Sequence, residues 1–277
     1  MRKVLTDKLI EEYKIFLIEE EKSNATIEKY LYDVKVFSDY VKHEEITKEI
    51  VLEYKKHLVS KYAVRSVNSK LASLSSLFDF LGWSDLKVKN LKLQKQTYLS
   101  EDKELTKDEY YRLLNAAKNN QRLHLIIETI CSTGIRVSEL KYFTVESVRK
   151  GTIVVNCKSK TRSILVPRKL KDKILKFAKQ HNISSGIVFR TRSGRAMNRS
   201  NIWAEMKKLC KSANVNPSKV FPHNLRKLFA RTFYGIEKDI AKLADILGHS
   251  TIDTTRIYIM SSGNEHRRKI ERLGLVV

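Results

Sequence analysis

The pattern of apolar and polar positions in the first ninety residues predicts four amphipathic helices. In "TDKLIEEYKIFLIEE" and "SNATIEKYLYDVKVFSDYVK" apolar residues recur every third or fourth position, with charged residues between them. "TKEIVLEYKKHLVSKY" begins at a capping Thr47, and "RSVNSKLASLSSLFDFLGW" ends at Gly82. Four such helices predict a small helical bundle over residues 1–91.

A polar, lysine-rich segment separates this bundle from the rest of the chain. "KVKNLKLQKQTYLSEDKEL" has little periodicity, so we expect a linker over residues 92–104. Helical periodicity resumes at "TKDEYYRLLNAAKNN", where Thr106 and Glu109 form a capping-box pattern. The second domain is therefore expected over residues 105–277.

The second domain has helical patterns interrupted by one strand pattern. "RLHLIIETICSTGIRVSELKYF" predicts a buried helix, a break at Gly134 and a new helix start, whereas "GTIVVNCKSKTRSILVP" predicts a β-hairpin with a basic turn. Further helical patterns are "RKLKDKILKFAKQ", "NRSNIWAEMKKLCKSA", "HNLRKLFARTFYG", "DIAKLADILG" and "NEHRRKIERLG". The expected fold is mainly α (α+β): a four-helix N-terminal domain and a mostly helical domain with a small antiparallel sheet.

The charge balance narrows the class of partner. Lys and Arg number 54 against 31 Asp and Glu, a net charge of +23, which suits nucleic acid first and a membrane surface second. No apolar run approaches membrane-spanning length, and the charged N-terminus does not resemble a signal peptide, so we expect a cytoplasmic protein. The three cysteines lack metal-ligand spacing, and no cofactor is expected.

Two basic positions in the second domain are candidates for anion binding. Arg136 follows a glycine break at a helix start, where helix-terminal N–H groups can assist a guanidinium, although pairing with Glu139 explains it equally well. Lys158, Lys160 and Arg162 form the predicted tip of the hairpin. This tip fits a plain exposed turn, and it also fits a lysine held over a DNA strand.

Two further motifs place histidines beside an arginine and a tyrosine. His223 and Arg226 are three residues apart, so they share one helix face. His249 follows the Gly248 helix stop, where it could be a capping histidine, and Tyr258 could be a core aromatic in the next short helix.

The start of that short helix carries its own signal. Ser250 and Asp253 form a capping pattern, which predicts that the helix begins directly after His249.

Together these groups suit phosphoryl transfer without a metal. The set comprises Arg136, a hairpin lysine, His223, Arg226, His249 and Tyr258. Two guanidiniums can clamp the non-bridging oxygens of a phosphodiester while a tyrosine attacks phosphorus. A His or Lys can move the protons. The covalent bond would conserve the phosphodiester energy, so rejoining would need no ATP.

These motifs resemble the tyrosine recombinase (phage integrase) family. "TGIRVSEL", "HNLRKLFA" and "LADILGHSTIDTTRIYI" resemble, in order, its first-arginine box, its His-x-x-Arg box and its third box. "SNATIEKYLYDVKVF" resembles the core-binding domain of Xer-like and simple integrases. The resemblance implies site-specific recombination through a 3′-phosphotyrosyl intermediate and a Holliday junction. The alternatives are type IB topoisomerase-like relaxation and a non-catalytic DNA-binding protein.

The resemblance also implies roles for the residues. Arg136 and Arg226 bind the scissile phosphate, Tyr258 is the nucleophile, and the hairpin lysine protonates the leaving group. The two histidines divide the remaining roles: His223 acts in acid/base or supporting contacts, and His249 contacts the phosphate or orients the site.

The hairpin and one box depart from the family pattern. "NCKSKTRS" lacks the usual glycine-flanked lysine, so Lys158 and Lys160 compete, and Lys158 is preferred because it directly follows the first strand. Lys227 stands where many relatives have a histidine. We expect Lys160, Arg162 and Lys227 to contact DNA.

The resemblance finally implies partners. These are double-stranded DNA with inverted-repeat core sites, and further copies of the chain in a homo-tetramer. The tail "NEHRRKIERLGLVV" is expected to pack into a neighbouring protomer, although packing on its own domain is the alternative. The protein would then be associated with the nucleoid of a prokaryote or with a mobile element.

Overall fold

The computed structural model describes residues 2–42, 44–92, 103–157, 160–260, 267–268 and 270–275, apart from the side chains of Cys157 and Lys160. The chain divides into two compact units, residues 1–95 and 96–277. Its helices and one two-stranded antiparallel sheet confirm the mainly α fold predicted from the sequence. Within the described residues no helix is long and apolar enough to cross a membrane.

The first unit contains the four predicted helices. They are α1 (Asp7–Glu19), α2 (Asn24–Val41), α3 (Lys48–Lys61) and α4 (Val64–Phe80). The side chains of Thr6, Ser23 and Thr47 each accept a backbone N–H at the start of a helix, which satisfies a donor that has no partner within the helix. The core of the unit includes the fully buried Tyr13 and Phe37.

The second unit contains the remaining helices. They are α5 (Lys107–Ala116), α6 (Gln121–Thr133), α7 (Val145–Lys150), α8 (Arg168–Gln180), α9 (Arg199–Lys208), α10 (Cys210–Ala213), α11 (Pro222–Glu237), α12 (Ile240–Leu247) and α13 (Ile252–Ile259). A 3₁₀ helix spans Val137–Tyr142. The predicted capping box of α5 is confirmed, because Thr106 and Glu109 satisfy each other's backbone N–H groups.

Helix α6 lies at the centre of the second core. Ile126, Ile127 and Ile130 are fully buried, and α6 packs against α8 and α11. The helix ends at Gly134, whose left-handed backbone (φ 64°) turns the chain towards Arg136. This packing places the end of α6, at Gly134, against α11.

The strand pairing of the hairpin extends further than the sequence predicts. Strands β1 (Thr152–Cys157) and β2 (Lys160–Leu165) pair antiparallel, with Cys157 opposite Lys160. Lys158 lies outside the described residues. Arg162 lies within β2 opposite Val155, and its side chain is only 13% exposed. The prediction that Arg162 belongs to an exposed tip is wrong, because strand pairing continues past it.

Two other local predictions are wrong. The stretch "NRSNIWAEMKKLCKSA" is divided at Leu209 into α9 and α10. The N-cap of helix α13 is Thr251, whose side chain makes no capping hydrogen bond, so Ser250 is not the N-cap that the sequence predicts. In the tail, residues 267–268 and 270–271 are helical.

Candidate active site

Among the described residues of the second unit, Arg226 is the most deeply buried cation. Pro222 begins α11, and Arg226 lies one turn further on, with 1% of its surface exposed. Its Nη1 donates to the Gly134 carbonyl (2.5 Å), and its Nη2 donates to the Leu247 carbonyl (2.6 Å) and to His249 Nε2 (3.0 Å). A buried guanidinium needs such acceptors, and these three fix its plane.

Arg136, in the loop after α6, also bonds to the end of α12. Its backbone N–H and its Nη1 both donate to the carboxylate of Glu139, at 2.7 and 3.1 Å, and its Nη2 donates to the Gly248 carbonyl (3.1 Å). The sequence left open whether Arg136 pairs with Glu139 or binds an anion. The structure contains the pair and leaves the side chain 38% exposed, so the guanidinium is both anchored and accessible.

The end of α12 holds three arginines through successive carbonyls. Ile246, Leu247 and Gly248 have no helical donors for their carbonyl groups, because the helix ends there with Gly248 left-handed (φ 62°). Arg162, Arg226 and Arg136 donate to these carbonyls in that order. The negative end of a helix dipole and its free carbonyls therefore position the cations.

His249 is fixed on both sides of its ring. Its Nε2 accepts from Arg226, while its Nδ1 lies 2.8 Å from Thr255 Oγ1. Since Arg226 can only donate, Nε2 carries no proton, and the neutral ring holds its proton on Nδ1, facing Thr255. Arg226 thus sets the tautomer of His249, and the fully buried Thr255 accepts the Nδ1 proton.

Tyr258 packs between the two histidines. It projects from α13 with 6% of its surface exposed. Its ring centroid is 5.1 Å from that of His223 and 4.9 Å from that of His249, and Arg226 Cζ is 6.0 Å from it. A core aromatic and a catalytic phenol both tolerate such burial, but the neighbouring guanidinium favours the binding of a phosphate beside the phenol.

The crowded cations shift the ionisation of the site. Desolvation, with Lys227 and Arg226 nearby, lowers the pKa of His223 to about 4, although the residue as a whole is exposed. Desolvation and Arg226 lower the pKa of His249 to about 4 as well. Desolvation and Arg136 lower the pKa of Arg226 to about 10. At neutral pH both histidines are therefore neutral while Arg226 remains charged.

An open cavity adjoins the buried groups. It has a volume of about 610 Å³, and it is large enough for part of a nucleotide. Its lining includes Arg136, His223, Arg226, Arg199, Trp203 and Phe221. Three of the sequence-predicted site residues thus face one solvent-accessible space.

The structure gathers five of the six predicted catalytic positions. Arg136, His223, Arg226, His249 and Tyr258 lie in one connected cluster. Lys158 is outside the described residues, as is the side chain of Lys160.

Lys227 does not project freely into solvent. It lies 3.5 Å from Glu104, and burial lowers its pKa. Its predicted contact with DNA remains a prediction.

The sequence did not indicate the supporting contacts of three residues. Arg162 donates to Glu139 at 2.5 Å, a contact across 23 residues that no spacing rule anticipates. Thr255 precedes Tyr258 on α13 and has no motif signal of its own. Gly134 was recognised only as a helix break, whereas its carbonyl also binds Arg226.

A helical domain with one hairpin, in which a tyrosine packs against two histidines beside two arginines, defines the class of the tyrosine recombinases. The pattern described as "Phage integrase family" matches residues 103–265, and that of "Phage integrase, N-terminal SAM-like domain" matches residues 10–85. The chain belongs to the phage integrase family.

The chain is similar in sequence to its relatives over nearly its whole length. The chain is 28% identical to tyrosine recombinase XerA of Pyrococcus furiosus, covering 99% of this chain and 96% of that protein. It is 30% identical to XerA of Thermococcus kodakarensis, covering 98% and 96%. The protein is accordingly a tyrosine-type site-specific recombinase.

A solved relative has the same fold. The lambda integrase tetramer bound to a Holliday junction superposes with a TM-score of 0.74 at 18% identity, covering 92% of this chain and 77% of that one. At this identity the likeness establishes the fold alone.

Proposed function

We propose that the chain cuts and rejoins strands of duplex DNA by using Tyr258 as the nucleophile. Its phenolic oxygen attacks the scissile phosphorus, the bond from phosphorus to the 5′-oxygen breaks, and a 3′-phosphotyrosyl bond forms. A 5′-hydroxyl attacks in reverse to restore a phosphodiester, so the steps balance without ATP. The observation that carries the proposal is the packing of Tyr258 against His223 and His249 beside Arg226.

Arg136 and Arg226 are the groups proposed to bind the phosphate. Their guanidiniums are fixed by the Gly248 and Leu247 carbonyls, which are adjacent in the chain. Fixed donors stabilise developing negative charge without reorganising during the reaction. This supports a clamp on the two non-bridging oxygens.

His223 is the better candidate to accept the phenolic proton. Both nitrogens of His249 are engaged, by Arg226 and Thr255, whereas those of His223 make no hydrogen bond among the described residues. His223 is neutral at pH 7 because its pKa lies near 4. The proton of the leaving 5′-hydroxyl is assigned to the hairpin lysine, Lys158 in preference to Lys160.

A nicked suicide substrate tests the proposal. The short strand released beside the scissile phosphate diffuses away, so a covalent protein–DNA adduct accumulates. We expect Tyr258→Phe to form no adduct and to bind the same DNA, because binding uses many other phosphate contacts. Tyr234→Phe, on α11, is the control and should react normally. Absence of an adduct with the unaltered chain would refute the proposal.

We also propose the division of labour along the chain. Residues 1–91 form a DNA core-binding domain, residues 92–104 a linker, and residues 105–277 the catalytic domain. The boundary between the compact units, after residue 95, and the two family matches support this division. Because the proposed substrate is DNA with inverted-repeat core sites, we place the protein in the cytoplasm with the nucleoid.

The tail is proposed to join protomers into a tetramer. Ile270, Leu273 and Leu275 are 54%, 62% and 82% exposed, so this apolar face is uncovered in the single chain. An apolar groove of about 340 Å³, lined by residues that include Tyr111, Phe233 and Ile236, is a suitable acceptor on a neighbouring copy. The tetrameric state of lambda integrase on a Holliday junction supports this assembly.

A further inference from the structure

Arg162 occupies a position that the proposed chemistry does not use directly. It reaches from β2 to the end of α12, where its Nη1 donates to the Ile246 carbonyl and its Nη2 donates to Glu139 Oε2 at 2.5 Å. Only 13% of the side chain is exposed. Arg162 therefore joins the hairpin, the 3₁₀ helix and α12 through a single side chain.

The carboxylate of Glu139 is shared between two arginines. It is 2% exposed, its Oε1 accepts from Arg136 Nη1, and its Oε2 accepts from the Arg136 N–H and from Arg162. Two guanidiniums around one carboxylate leave a net positive charge. Arg136 can then bind an anion although it is already paired with Glu139.

Without Arg162 this balance would change. Glu139 would remain buried, with Arg136 as its one cationic partner in the described part of the chain, and would hold that guanidinium more tightly and neutralise it. The Ile246 carbonyl would also lose its donor, next to the carbonyls that hold Arg226 and Arg136. Both effects act on the phosphate-binding groups.

We propose that Arg162 is a positioning residue for strand cleavage, which acts through Glu139 and Ile246 to keep Arg136 directed at the phosphate. This inference rests on the proposed function. It replaces the expectation that Arg162 contacts DNA, because its donors face the protein interior.

Single-turnover cleavage of the suicide substrate at saturating enzyme tests the inference. We expect Arg162→Ala to slow cleavage about 10²-fold, the cost of a misplaced catalytic group, while the Kd for DNA stays within about threefold. The cleavage rate of Arg162→Lys should lie between those of Arg162→Ala and the unaltered chain, because an ammonium cannot bond to both Glu139 and the Ile246 carbonyl. Arg149→Ala, an exposed charge on α7, should change neither quantity.

A double-mutant cycle distinguishes positioning from a general structural effect. Arg136→Lys and Arg162→Ala should combine to a defect clearly smaller than the product of the single defects, because one acts through the other. If Arg162→Ala does not fold, Arg162→Lys takes its place in the cycle. Independent, multiplying defects would overturn the inference. So would a weakened Kd at an unchanged cleavage rate, which would indicate a direct DNA contact. Failure of the proposed function differs, since the unaltered chain would then form no adduct.

Discussion

Gly248 meets two constraints that a larger residue cannot. Its φ of +62° is left-handed, and a Cβ placed there would lie 2.5 Å from Arg162 Cδ and 2.9 Å from its Nε. Arg162 cannot easily move aside, because both ends of its guanidinium are bonded. Gly248, which ends α12, therefore also leaves space for the side chain of Arg162.

We expect Gly248→Ala to slow suicide-substrate cleavage and to lower stability beyond the backbone cost of about 1 kcal/mol. Gly151→Ala is the matched control, because Gly151 also ends a helix with positive φ (76°) but has open space around its missing Cβ. Urea denaturation and single-turnover cleavage measure the two effects. Equal destabilisation of the two variants, with normal cleavage by Gly248→Ala, would contradict the steric argument.

The residues that the sequence identifies are those with a local signal. His223 and Arg226 are adjacent on a helix, and His249 follows a glycine stop, so spacing alone places them. Arg162 and Thr255 act through contacts whose geometry depends on how β2, α12 and α13 pack. Hydrophobic periodicity carries no information on these contacts, so the sequence pattern alone predicts an exposed turn at Arg162.

Among helices and strands too, features with a local sequence signal are predicted, and features that depend on packing are not. Helices with a clear period and a capping signal, such as α2, α3 and α5, begin where the sequence predicts. The end of the hairpin and the break between α9 and α10 were not predicted, because strand pairing and packing decide them. Residues 152–157 and 160–165 continue the ladder through positions whose polar side chains indicated a turn.

The tail is the element whose proposed role depends on a second copy of the chain. We expect Ile270→Asp combined with Leu273→Asp to leave DNA binding and suicide cleavage intact but to prevent tetramers on DNA, because charge blocks burial of the apolar face. Ile236 is 81% exposed in the proposed acceptor groove, and Ile236→Asp should likewise prevent tetramers on DNA. Light scattering of protein–DNA complexes measures the assembly.

Glu271→Gln, in the same exposed segment, serves as the control for the tail variants. It removes a charge without altering the apolar face, so assembly should be normal. Tetramers of normal stability with both the tail and groove variants would rule out the proposed exchange.

For the whole molecule, positive charge is concentrated in one unit. Residues 96–277 contain 36 Lys and Arg against 16 Asp and Glu, a net charge of +20, whereas residues 1–95 contain 18 against 15, a net charge of +3. The attraction to phosphates is therefore generated mainly by the unit that contains the candidate active site. We therefore expect the proposed DNA binding by the first unit, which is nearly balanced in charge, to depend on shape and specific contacts.

This distribution predicts that binding and cleavage respond differently to salt. With about six or more phosphate contacts, the association constant should fall about 10³-fold or more between about 50 and 200 mM salt. The cleavage rate of saturated complexes should change little, because Arg226 and Arg162 are buried and screened weakly, and Arg136 is anchored to the buried Glu139. Filter binding and single-turnover cleavage over the same salt series measure the two. A cleavage rate that falls in parallel with affinity would show that phosphate binding by the two arginines depends on exposed charges. A constant cleavage rate with falling affinity would show that the charges that attract DNA are distinct from the residues that cleave it.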